Sequence, residues 1–251
     1  MTNLEAAAIF GTGIVAGAVN AAVGSGTLIT FPMLLAAGYP PVIANVTNTV
    51  GLIPGALSGA IGYRRELASQ RSRLRWLGIA STFGGATGAL LLAMLPTAAF
   101  DTIVPVLIAF ACASLLLQTR LAVVLNRRRK IATHRGRLAW LGAYGVGVYG
   151  GYFGAAQGFL TIALMGMIFN DSIQSLNAAR NVLSLLANLA AALLFIAILD
   201  VAWFASALIA TGSTLGGILG AGLGRKLPPI VLRGCLLAVA VVTIVSLIAN
   251  L

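Results

Sequence analysis

The chain has 251 residues, 59% of them hydrophobic and only 8% charged, with a net charge of +11 and a mean hydropathy of +1.00. Soluble domains carry roughly 25% charged residues, so this composition excludes a soluble fold, and with it the nucleic-acid binder that +11 would otherwise suggest. An all-α integral membrane protein is expected, because the apolar runs suit helices of about 20 residues rather than alternating barrel strands of about 10.

In chain order, the first half gives apolar runs near 6–23, 27–37, 42–63, 76–95 and 102–118. The second half gives runs near 138–153, 159–169, 174–199, 202–223 and 230–250. The second run of each half is too short to cross a hydrocarbon core that needs about 20 residues, and the sequence leaves open whether 27–37 and 159–169 span or re-enter. Nearly all basic residues fall in three gaps, at 64–75, 119–137 and 224–229, or at their borders, as Arg233 does. By the positive-inside rule these gaps face the cytoplasm, beside anionic lipid. The N-terminus lacks a basic signal-peptide n-region, so the first run is expected to belong to the mature protein.

Each half then crosses an odd number of times, so the second half is inverted relative to the first. A constant offset of 132 supports the relation: STFGGATGA at 81–89 lies over STLGGILGA at 213–221, Gly26 over Gly158 and Asn45 over Asn177. The predicted organisation is a first transmembrane repeat over 1–118, a basic cytoplasmic linker over 119–137 and an inverted second repeat over 138–251. Each repeat holds about five hydrophobic segments, including a Gly-rich broken or re-entrant hairpin. Secondary transporters recurrently use this design, with the site at the repeat interface. The pairs Gly84/Gly88 and Gly216/Gly220 read as close helix packing.

One basic residue lies outside the basic gaps and their borders: Arg180, about seven residues into its run. At 1.5 Å per residue that depth is roughly 10 Å below the interface. An ionisable residue there is a functional-site hypothesis, and its fork of donors suits oxyanions. Under the offset Arg180 corresponds to Asn48, and Asn45, Thr47, Asn177 and Asn181 lie within a turn of them. Two glycine-rich breaks, Gly24-Ser25-Gly26 and Gly154-Ala155-Ala156-Gln157-Gly158, would present the N-termini of the short helices to bound negative charge. Asn20, beside the first break, Ser25 and Gln157 join the candidate ligands.

No carboxylate sits at mid-membrane as an obvious proton relay, since Glu5, Asp101, Asp171 and Asp200 fall near run ends and Glu66 in a basic gap. Export of an anion from a negative interior is electrically downhill by about 2.3 kcal/mol per charge per 100 mV, and no nucleotide-binding motif calls for ATP. Cys112 and Cys235 form no CxxC spacing, so neither a disulfide nor a metal site is expected. An intramembrane serine enzyme is disfavoured, because the only histidine, His134, lies in the cytoplasmic gap. An anion channel using the same site is the nearer rival.

The stretch GIVAGAVNAAVGSGTLITFPMLLAAGYPPVIANVTNTVG with GYRREL resembles the first repeat of the TauE/SafE sulfite-exporter family, and GVYGGYFGAAQGFL with LNAARNVLSLLANLAAAL resembles the second. The resemblance spans nearly the whole chain. It is most specific at Gly24, Gly26, Pro32, Asn45, Thr47 and Asn48, and at Gly150, Gly151, Gly154, Gly158, Asn177 and Arg180. It implies a multi-pass transporter of the bacterial inner membrane for sulfite, small organosulfonates or related carboxylates. The expected partners are a small anionic substrate and membrane lipids, with no cofactor and no nucleic acid; a homodimer is left open.

Overall fold

The structure is a computed structural model and describes residues 1–127, 135–169 and 171–223. The described residues form helices and no strand: α1 (Asn3–Val23), α2 (Thr27–Ala36), α3 (Pro41–Gly62), α4 (Arg64–Leu67), α5 (Arg71–Met94), α6 (Thr97–Arg127), α7 (Arg135–Tyr152), α8 (Gln157–Ile168), α9 (Ile173–Ile198) and α10 (Trp203–Leu223). A short 3-10 turn, Ala68–Gln70, joins α4 to α5. The expected run at 230–250, with Arg233 and Cys235, and the third basic gap at 224–229 lie outside the described residues, as do His134 and the Arg128–Lys130 cluster.

Local chemistry sets the helix ends. Thr2 and Glu5 form a reciprocal capping box at the start of α1, with Thr2 N–H donating to Glu5 Oε2 at 2.8 Å and Glu5 N–H donating to Thr2 Oγ1 at 3.2 Å. Pro41 occupies the first position of α3, where its missing N–H costs nothing. Ser172 caps α9 by accepting from Ser175 N–H. The basic stretch expected as linker at 119–137 is partly helical: α6 runs on to Arg127 and α7 begins at Arg135. Residues 119–127, TRLAVVLNR, contain no glycine or proline to stop the helix.

Among the described residues five helices are long and apolar enough to cross a membrane, within α1, α5, α6, α9 and α10. Their outward faces are apolar, Phe83 being 63% and Ile218 61% exposed, whereas Asn45, Asn48 and Arg180 are 0% exposed. A soluble protein distributes these types the other way round. Here lipid takes the apolar face, and these polar groups are enclosed among the helices.

The helices pair across the chain. α1 packs chiefly on α10 and α5 on α7, while α3 lies against α10 and α9, and α5 also against α9. Small residues make these approaches possible. Gly216 and Gly220 of α10 rest on the backbone of Ile14 and Ala18 in α1, and Gly84 and Gly88 of α5 rest on that of Tyr144 and Val148 in α7. Lipid supplies no hydrophobic drive between helices, so their association rests on such close contact. A side chain at Gly216 would enter the Ile14 carbonyl. Gly216→Val is therefore expected to destabilise the bundle by about 1–3 kcal/mol, read as a lowered unfolding midpoint in detergent.

Two polar contacts tie the ends of the short helices down. Tyr39, in the α2–α3 turn, donates its hydroxyl to Met1 Sδ at 3.8 Å. At the α8–α9 turn, Arg73 of α5 pairs with Asp171 and Gln70 and lies over the Phe169 ring, 4.2 Å from its centroid. Both partners of the ion pair are about a quarter exposed, so water screens it. A double-mutant cycle of Arg73→Ala with Asp171→Ala is expected to give a coupling of only about 0.5–1 kcal/mol.

Candidate functional site

α1 ends because Gly24 turns left-handed, at φ 80°, with its N–H donating back to Asn20 O at 2.9 Å and Val19 O at 3.2 Å. Any side chain is strained in that conformation, and glycine is not. α7 ends in the same way, Gly154 standing at φ 77°. Ala156, the N-cap of α8, is the one non-glycine residue with positive φ among those described. That geometry costs about 1–2 kcal/mol and is the kind of strain that gathers at functional sites. Neither α2 nor α8 has a side-chain N-cap.

The two breaks meet: Gly158 N–H donates to Gly24 O at 3.3 Å. Phe153 of the second break packs edge-on against Phe31 of α2, with ring centroids 5.3 Å apart. Arg180 reaches this junction from the second turn of α9. Its Nη1 donates to Asn20 O at 3.2 Å, and its Nη2 to Ala21 O at 2.7 Å and to Asn181 Oδ1 at 3.0 Å. Its Nε has no hydrogen-bond partner. Gly24 and Gly158 flank the side chain so closely that a Cβ on either would overlap it. The last carbonyls of α1 carry the negative end of a helix dipole, which the guanidinium satisfies.

The other expected residues divide by location. Asn181, 7% exposed, also donates its amide to Ala21 O at 3.4 Å. Asn45 donates to Tyr152 O, the last residue of α7, at 2.9 Å, and its Oδ1 has no partner. Asn48 braces the start of α2, donating to Thr27 Oγ1 at 3.2 Å and accepting from the Thr30 hydroxyl. Ser25 Oγ and Gln157 Oε1 are buried at the breaks without partners, and so is Asn177 Oδ1 one turn before Arg180. Thr47 points elsewhere, accepting from Ala202 N–H at 3.0 Å just before α10. Gly26 packs against the Ala16 carbonyl and the Asn20 side chain.

A small polar crevice lies beside the junction, lined by Asn20, Thr27, Thr49, Leu52, Phe153, Gly154 and Asn188. At about 10 Å³ it has room for a single water. Asn188 went unnoticed in the sequence, although Asn177, Asn181, Ser184 and Asn188 recur at i, i+4, i+7 and i+11, the spacing of one helix face. No carboxylate is among the lining residues.

These features define a polytopic helical membrane protein with a cationic, amide-rich centre where two helix breaks touch. The chain belongs to the sulfite exporter TauE/SafE family, whose model matches residues 9–247, a family of membrane transporters. It is 29% identical over 221 residues to a probable membrane transporter protein of Haemophilus influenzae, covering 86% of this chain and 83% of that one. It is likewise 29% identical over 225 residues to the probable membrane transporter protein YfcA of Escherichia coli K12, covering 87% and 82%. No solved structure matches.

Proposed function

We propose that the protein is a secondary transporter that carries small sulfur oxyanions, sulfite or short sulfonates, outward across the bacterial inner membrane. The observation that carries this reading is the wholly buried guanidinium of Arg180 at the meeting point of the two breaks. Its unpartnered Nε, the uncapped starts of α2 and α8 and the surrounding amides favour an oxyanion in the site. The family description supplies the sulfur chemistry.

Alternating access would come from two inverted repeats, 1–118 and 138–251, joined by the basic linker. The helix pairings support this arrangement. Gly85 meets Ala187 while Gly217 meets Gly55, so α5 on α9 and α10 on α3 make the same contact in exchanged order, 132 residues apart. The left-handed glycines Gly24 and Gly154 are 130 apart, and so are the starts of α2 and α8. The difference from the constant register, which pairs Gly26 with Gly158, is taken up because α8 is two residues longer than α2. In this reading α1–α2 and α7–α8 are re-entrant hairpins that touch tip to tip, as the Tyr39–Met1 and Arg73–Asp171 contacts at their bases favour.

The test is flux into and out of liposomes holding the purified protein, comparing sulfite, sulfate, methanesulfonate and acetate under an imposed potential. Saturable flux with counterflow for the sulfur oxyanions is the expected result. Flux that rises without saturation and shows no counterflow would make the protein a channel, and acetate preferred over all three would remove the sulfur assignment.

A further inference from the structure

Arg180 is engaged in two directions. A bidentate grip on an oxyanion uses two neighbouring N–H groups of the guanidinium, either Nε with Nη2 or Nη1 with Nη2. Both forks contain Nη2, and both Nη2 protons are already given, to Ala21 O at 2.7 Å and to Asn181 Oδ1 at 3.0 Å. An arriving anion therefore displaces the Ala21 carbonyl directly, or it displaces Asn181, whose own amide is the second donor to that carbonyl at 3.4 Å. Either way the end of α1 loses part of its cap.

The second break is held differently. The last carbonyl of α7, on Tyr152, accepts from the neutral amide of Asn45 at 2.9 Å. A neutral donor attracts an anion much less than a guanidinium does, so this bond has no strong competitor.

We infer that Arg180 is shared between the end of α1 and the transported anion, so that binding uncaps the first hairpin, whereas Asn45 is a positioning residue that keeps the second hairpin capped throughout. The two repeats then play unequal parts: α1–α2 is the element released by substrate, and α7–α8 is the wall it moves against. This inference rests on the anion-transport reading above.

Hydrogen exchange on the full-length protein in lipid nanodiscs, with and without saturating sulfite or methanesulfonate, tests it, with binding followed separately by thermal shift. Exchange over residues 19–26 is expected to quicken about tenfold on anion binding, with residues 150–158 unchanged. Asn45→Ala is expected to quicken 150–158 by a similar factor whether or not anion is present. Anion that binds but leaves 19–26 unchanged or slower overturns the sharing of Arg180 and leaves the transport reading standing. Anion-dependent exchange at 150–158 overturns the asymmetry. If neither anion binds, the transport reading fails and this inference fails with it.

Discussion

Arg180→Gln is expected to lower saturable sulfite flux by about a hundredfold or more while folded protein is recovered at close to its normal yield. A hydrogen bond to a charged group contributes roughly 1.5–3 kcal/mol, and the loss of a two-pronged grip removes two of them. The fold is expected to survive because the α1 end keeps other donors: Gly24 N–H still serves Asn20 O, and the Asn181 amide still reaches Ala21 O. A glutamine amide also retains a donor for the same carbonyls. Arg180→Lys keeps the charge but loses the planar fork, so an intermediate loss of about tenfold is expected. Flux in liposomes alongside the monodisperse yield from detergent separates the two effects. Near-normal flux in the glutamine variant would remove Arg180 from the transport path.

Gly24→Ala is expected to have the largest effect on stability. The left-handed backbone costs about 1–2 kcal/mol for an L-residue. The new methyl would also meet Gly158 Cα and the Arg180 guanidinium, an overpacking that costs about 1–3 kcal/mol more. Gly38 provides the internal control: its φ is +84°, yet nothing lies within 4 Å of the position a Cβ would take. Gly38→Ala is therefore expected to show the backbone term alone, about 1 kcal/mol, partly offset by a stiffer unfolded chain. Unfolding midpoints of the two variants in the same detergent give the steric part by difference. Equal midpoints would show that the two breaks do not press together as described.

The membrane class and most helix positions were legible in the sequence because they follow from local patterns. Apolar runs between basic gaps gave the long helices, and Gly24 and Gly154 marked breaks where the backbone turns left-handed. The depth of Arg180 in its run flagged it as unusual. Its partners were not legible: Asn20 and Ala21 lie some 160 residues away, and nothing local shows that a guanidinium will cap a distant helix. Thr47 looked equivalent to Asn45 and Asn48 from spacing alone, but two residues along a helix is a turn of about 200°, and it faces α10 instead. The spacing of Asn177, Asn181, Ser184 and Asn188 carries one polar face of α9 on to Asn188. It stands eight residues beyond Arg180, more than two helical turns away, so nearness to the charged residue does not point to it.

The first helix of the chain finds its main partner in α10, the last helix described, through glycines that admit backbone to backbone. A ribosome feeding this chain into a bilayer thus delivers α1 long before the surface it is shaped for. Until α10 arrives, the small-residue face of α1 must wait against lipid or insertion machinery, so the packing of α1 is completed only after α10 has been made.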